Sequence, residues 1–247
     1  GASLSSAMCL DILMSDKKFN VRNIQLNQSV TVADVGRMTI SKVYNALGKT
    51  SEIIKTIKDF HPDIIYYAPA VVGAALLRDS LYLKVIRSIT SARIILHLRG
   101  QFRAEDWQSP LFRPVIKSLL KCDRAVVLGV ELVDNLRHTI PIGKILILPN
   151  AIKQTVTDDA FKKTLMLRKD NAKLRLLFLS NMVESKGWFK VLRVCRQLAE
   201  SDYNLSCDFV GEWGSSFDQR RFSDYVEKYK LASFVMHHGQ LLGSQKD

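Results

Sequence analysis

The chain has 247 residues, 47% of them hydrophobic and 24% charged, with a formal net charge of +12. This suits one large or two modest globular domains and excludes a disordered chain. The basic excess is heavier in the first part, with 20 Lys and Arg against 12 Asp and Glu over residues 1–150 and 16 against 12 over residues 151–247; it favours anionic partners.

The chain opens on the small residues Gly1-Ala2-Ser3 and runs into a helical pattern over Leu4–Met14. A β-rich run follows at Phe19–Leu26, then a helical pattern over Val35–Phe60. The remaining predicted strands are Asp63–Tyr67, Ala92–Leu98, Arg124–Leu128, Ile145–Leu148, Leu174–Leu179, Leu205–Val210 and Phe234–Met236. Helical patterns lie between most of them, at Val71–Ile89, Leu111–Lys121, Val130–Arg137, Gly187–Ala199 and Phe217–Tyr229. Alternating strand and helix, with near-continuous apolar strands, predicts parallel sheets covered by helices, an α/β fold. The rhythm breaks only between Lys153 and Lys173, a stretch rich in Thr, Asp and Lys after Pro149-Asn150. It is expected to be a connector carrying a short helix around Phe161–Leu167. Residues 1–150 then form one domain, residues 151–173 a linker, and residues 174–247 the start of a second domain. Both ends are expected to be cut. In a doubly wound domain a small-residue turn follows the first strand, and no strand precedes Gly1; the second sheet has only three predicted strands.

No apolar run approaches the ~18 residues that span a bilayer. No basic segment leads into an apolar core at the start, so no secretory signal is visible. Cys9, Cys122, Cys195 and Cys207 are scattered without metal or redox spacing, each in an apolar context, and are expected to be reduced, buried thiols of a cytoplasmic protein. Without a dense Lys/Arg run, zinc-finger spacing or interleaved aromatic and basic residues, nucleic acid is not the expected partner.

The most informative stretch is Leu176-Leu177-Phe178-Leu179-Ser180-Asn181-Met182-Val183-Glu184-Ser185-Lys186-Gly187. It is a buried strand, a short polar turn, and then a helix with Leu192 and Cys195 on one face. Unpaired N–H groups and the macrodipole make a helix start attract anions, and Lys186 adds an ammonium there. The competing reading is a solvated first-turn lysine. His97, at the end of a predicted strand, lies where open parallel sheets bind ligands; the alternative is a histidine satisfied by loop backbone. Two residues on, Arg99 shares its side by period-2 geometry and could meet an acidic acceptor or phosphate, or simply face solvent. His237 and His238 adjoin at a strand end and should point to opposite faces, a poor metal pair. Gly211-Glu212 follows a strand, and Glu212 is equally a solvated loop acid. No Ser-His-Asp order supports a hydrolase.

Taken in order, Gly-Ala-Ser before a helix, Pro-Asp-Ile-Ile-Tyr, Ile-Leu-His-Leu-Arg-Gly, Lys-Ile-Leu-Ile-Leu-Pro-Asn-Ala, Leu-Phe-Leu-Ser-Asn-Met-Val-Glu-Ser-Lys-Gly, Asp-Phe-Val-Gly-Glu and Val-Met-His-His-Gly resemble glycosyltransferase family 4 over nearly the whole chain. The resemblance implies the GT-B architecture: two Rossmann-like domains with parallel sheets, the second incomplete here. It also implies retaining transfer of a sugar from a nucleotide-diphosphate donor, in polysaccharide biosynthesis or a related pathway, with no bound metal or other cofactor required. Gly1 matches the turn where the backbone approaches the donor phosphates, His97 a histidine near the transferring sugar, and Lys186 the lysine that neutralises the diphosphate. Gly211 and His238 are placed on the donor side, His238 near the base, and Arg99 toward the acceptor.

Two departures stand out. Many relatives carry Gly-Arg at Ser180-Asn181, so Asn181 keeps hydrogen-bonding capacity but loses a cation. The family's paired glutamates are expected beyond Asp247, which leaves the fragment itself expected to be inactive. The acceptor is expected to be a glycan, lipid-linked or phosphorylated molecule, and the basic first domain fits a cytoplasmic enzyme at the inner membrane surface. The competing hypothesis is a catalytically idle nucleotide-binding or membrane-associated Rossmann-like module.

Overall fold

The computed structural model describes residues 2–26, 40–151, 156–169 and 173–241. Gly1, and residues 35–39 at the head of the second predicted helix, lie outside the described residues. The described residues fall into two compact units, 2–26 with 40–151 and 156–169 with 173–241. Each is an α/β unit built on a parallel sheet.

In the first unit the strands are β1 (Ile64–Tyr67), β2 (Arg93–Leu98), β3 (Arg124–Val127) and β4 (Ile145–Ile147), all parallel in the order β1-β2-β3-β4. The helices are α1 (Ala2–Ser15), α2 (Ile40–Phe60), α3 (Gly73–Ile89), α4 (Ala104–Gln108), α5 (Phe112–Leu119) and α6 (Val130–Leu136). Ile94, Leu96 and Leu98 of β2 are buried, as a central parallel strand requires. Helix α3 buries Leu76, Leu83 and Ile86, spaced by one and two turns, in the same core. Helix α4 has five residues, too few to show a helical period in the sequence. It is anchored instead by Arg103, whose guanidinium meets the buried Asp106 carboxylate at 3.0 Å, and by Trp107 packed edge-on against Phe102.

The expected strand at Phe19–Leu26 is not formed; these residues carry no ladder pairing. Part of their apolar pattern is satisfied by packing instead, with Phe19 left exposed. Ile24 and Leu26 lie against the core, and the Arg22 guanidinium sits 5.1 Å over the Phe60 ring. Hydrophobic alternation reports burial, and burial without a neighbouring strand edge leaves an irregular segment.

The second unit comprises α7 (Asp158–Lys169), β5 (Leu174–Leu179), α8 (Trp188–Glu200), β6 (Leu205–Val210), α9 (Ser216–Lys228) and β7 (Val235–His237), with a parallel sheet ordered β5-β6-β7. Trp188, Leu192 and Cys195 make one fully buried face of α8, packed in a cluster with Phe178, Cys207 and Phe209. Ser215 starts α9 by accepting a hydrogen bond from the Asp218 N–H at 3.1 Å. All four cysteines are free; Cys195 and Cys207 are buried as expected, whereas Cys9 and Cys122 are partly exposed. Among the described residues no helix is long and apolar enough to cross a membrane.

Candidate functional site

In the first unit the carboxyl ends of β1 and β2 bring polar side chains together. Tyr66 pairs in register with Ile95, and His97 stands two residues beyond Ile95, so Tyr66 and His97 share a sheet face. Their rings meet edge-on with centroids 5.7 Å apart. The Tyr66 hydroxyl is hydrogen-bonded to His97 Nδ1, and Arg99 Nη2 lies 3.5 Å from the same nitrogen. His97 is 1% exposed, and its Nε2 has no partner among the described residues. Burial, reinforced by the Arg99 guanidinium, pushes the imidazole pKa down to about 4. His97 is therefore neutral near pH 7.

A second buried group shapes the same edge. The Asp79 carboxylate, 2% exposed, accepts from the Ala70 N–H at 2.7 Å and pairs with Arg78 at 2.7 Å. It thereby holds the loop after β1 from the start of α3. The buried Tyr67 hydroxyl lies beside it, and burial raises its pKa far above the usual tyrosine range.

In the second unit, the turn after β5 and the loop after β6 interlock. Met182 N–H donates to the Glu212 carbonyl at 2.8 Å, Gly214 N–H donates to the Met182 carbonyl at 3.1 Å, and Met182 pairs with Trp213 in a parallel bridge. Gly211 sits hard against the β5 turn, and its N–H donates to the Gly239 carbonyl at 2.9 Å, joining the loop after β7. Asn181 is exposed on this turn.

Lys186 ends a single 3-10 turn, Glu184–Lys186, and Gly187 then takes φ +84° before α8 begins. That left-handed conformation favours glycine and turns the chain sharply into the helix. No side chain caps α8, so its first N–H groups are not satisfied by a capping residue. Lys186 is exposed and makes no ion pair among the described residues. The nearby acid, Glu184, is engaged by Arg221 at 2.8 Å, and that guanidinium rests 3.9 Å over the Phe189 ring.

The two histidines at the end of β7 diverge. His237 donates from Nε2 to the Gly211 carbonyl at 3.0 Å and packs on Trp213 with ring centroids 4.5 Å apart. His238 turns the other way, with Nε2 at 2.6 Å from Asp208 Oδ1. His237 thus braces the loop, while His238 is more exposed at the sheet's end. Among the described residues no group of three or more His, Cys, Asp and Glu is placed to hold a metal.

Of the residues singled out in the sequence, His97 and Arg99 are brought together in the first unit. Asn181, Lys186, Gly211 and His238 lie on turns at the carboxyl ends of the second sheet; Gly1 lies outside the described residues. Sequence reasoning missed Tyr66, Asp79 with Arg78, and the Glu184–Arg221 pair. Strand register could have found Tyr66, since it stands at the end of the strand preceding that of His97. The other two pairings depend on helix packing.

No family model matches the chain, and no curated protein matches it in sequence. Solved structures do. The chain resembles Alr3699/HepE of Anabaena, crystallised with UDP and glucose, at 13% identity and a TM-score of 0.56, over 78% of this chain and 51% of that one. It resembles a glycosyltransferase of Rickettsia africae ESF-5 at 16% identity and a TM-score of 0.54, over 83% and 54%. It also resembles the UDP-forming α,α-trehalose-phosphate synthase of Burkholderia xenovorans, solved with glucose-6-phosphate, at 10% identity and a TM-score of 0.59, over 86% and 57%. At these identities the likeness is one of fold: Rossmann-like α/β units of the GT-B kind. The chain spans about half the length of each of these structures.

Proposed function

We propose that this chain carries the Rossmann-like units of a retaining glycosyltransferase resembling family 4, which moves a sugar from a nucleotide-diphosphate donor to a glycan, lipid-linked or phosphorylated acceptor. In this reading residues 1–150 form the acceptor-side domain, residues 151–173 the linker, and residues 174–247 begin the donor-binding domain. The observation that carries it is Lys186: an exposed ammonium without an ion pair among the described residues, on the turn that opens α8. The leaving group of such a transfer is a nucleoside diphosphate, on whose terminal phosphate charge builds as the glycosidic bond breaks. A fixed cation beside helix N–H groups stabilises that charge in the transition state. The neighbours solved with UDP and with glucose-6-phosphate support a nucleotide donor and a phosphorylated acceptor.

The remaining residues take graded roles. Asn181 supplies hydrogen bonds where the family carries a second cation. Gly211 allows the β6 loop to close on the β5 turn, His238 lies toward the base, and Gly1 marks a backbone approach to the phosphates. His97 orients the transferring sugar, and Arg99 lies toward the acceptor. The basic excess of the first domain fits an anionic acceptor or an anionic membrane surface.

Calorimetric titration with UDP, GDP and ADP, wild type against Lys186→Ala, tests the reading. A charge-assisted hydrogen bond is worth about 1.5–3 kcal/mol, so affinity should fall about ten- to a hundredfold. Equal affinities for every nucleotide that binds return Lys186 to an ordinary solvated lysine. Tight binding without sugar transfer in the presence of acceptor points to an idle nucleotide-binding module.

A further inference from the structure

Three groups converge at the end of β2. Arg99 has only N–H donors, so the His97 nitrogen facing it must offer a lone pair. The Tyr66 hydroxyl, which can donate or accept, then donates to Nδ1. Helix α1 brings Cys9 beside the same hydroxyl, but an imidazole lone pair is a better acceptor than a thiol sulfur. With Nδ1 occupied as acceptor, the ring proton resides on Nε2. That N–H is buried and unpartnered among the described residues. A buried donor left unmade is costly, and an incoming acceptor removes that cost.

We propose that Tyr66 is a positioning residue: with Arg99 it locks His97 in the tautomer that carries its proton on Nε2, so that the histidine presents a neutral N–H donor to a sugar hydroxyl. The ligand in this statement rests on the glycosyltransferase reading; the tautomer does not. Two features make the device effective. The hydroxyl fixes the ring's rotation as well as its tautomer, because Tyr66 also contacts the imidazole edge-on. The guanidinium opposes protonation of the ring, so the donor stays neutral and is not attracted to the donor diphosphate as a cation would be.

The test is long-range proton–nitrogen NMR of the chain labelled at its five histidines, with His97→Gln assigning the His97 signals. In the wild type at pH 7 His97 should show a single tautomer, protonated on Nε2. Tyr66→Phe keeps the ring and removes one hydrogen bond, worth about 1 kcal/mol, so the Nδ1–H population should rise about fivefold. Arg99→Met, which removes the second donor to Nδ1, should move the ratio the same way. A wild-type His97 protonated on Nδ1, or a ratio indifferent to Tyr66→Phe, overturns the inference. Addition of UDP-glucose separates the two readings. A shifted Nε2–H signal supports the sugar-hydroxyl partner. An unmoved signal in a correctly locked tautomer, in a protein that binds UDP-glucose by calorimetry, removes the sugar hydroxyl as partner and leaves the positioning intact, while the transferase reading stands or falls on the Lys186→Ala titration.

Discussion

Gly211 stands so close to the turn after β5 that a Cβ there would lie 1.9 Å from the Ser180 carbonyl oxygen and 3.2 Å from the Asn181 Cα. Both near atoms are backbone, so no side-chain rotation can make room. Glycine is required here by contact between two loops, and the contact ties the β6 loop to the turn that carries Asn181.

Gly211→Ala should therefore destabilise the second unit by about 1–3 kcal/mol, the usual range for overpacking, or more. Urea denaturation read by tryptophan fluorescence checks this, since Trp188 and Trp213 both lie in that unit. The same variant should weaken nucleotide binding, because the displaced turn is the one bearing Asn181. A fully stable Gly211→Ala protein would mean the two loops separate without cost.

Lys186→Ala should leave stability within about 0.5 kcal/mol, as expected for an exposed side chain without a partner. Under the proposed function its effect should appear in ligand binding instead. Restoring a cation with Asn181→Arg in the Lys186→Ala background should recover part of the lost affinity. Titration of the single and double variants with UDP decides whether the two positions serve one anion.

Glu184 and Lys186 lie two residues apart on one 3-10 turn, and Arg221 keeps the Glu184 carboxylate engaged. Arg221→Met removes that charge while keeping bulk over Phe189. The released carboxylate should then compete for Lys186 and lower nucleotide affinity by up to about fivefold, the scale of an exposed ion pair. Glu184→Gln should act in the opposite direction. Changes of the same sign in both variants would refute an electrostatic link.

His97 also makes a prediction about pH. Its folded pKa of about 4 lies below the ordinary 6.5, so between those values the unfolded chain binds a proton that the folded chain refuses. Stability should fall as pH drops from about 6.5 toward 4, by up to about 1.4 kcal/mol per pH unit, and level off below. In His97→Asn this component of the slope should vanish. Denaturation midpoints across that pH range for the two proteins measure the difference.

Much of this molecule was legible in the sequence. Apolar runs such as Leu174–Leu179 and Leu205–Val210 predict strands to the residue, but burial on both faces holds only for the central strand β6. Strand β5, expected from its sequence to be buried, lies at the end of the order β5-β6-β7 and leaves Leu174, Leu177 and Leu179 exposed. The spacing of Leu192 and Cys195 predicts the buried face of α8, because residues three apart lie on one side of a helix. Phe19–Leu26 shows the limit: Ile24 and Leu26 are partly buried while Phe19 is exposed, and whether a segment joins a sheet depends on a strand edge contributed from elsewhere in the chain.

The candidate site divides in the same way. The turn from β5 into α8 is local, so Lys186 and its place before the helix could be inferred from a dozen consecutive residues. The tertiary structure alone decided what surrounds these groups: Tyr66 and Arg99 on one nitrogen of His97, Arg221 on Glu184, and the Gly211 backbone against Ser180. Each joins residues whose proximity comes from sheet register, helix packing or loop contact. Residue type determines which chemistry a position can offer, but protonation, tautomer and available charge are set by what the fold places within a few ångströms.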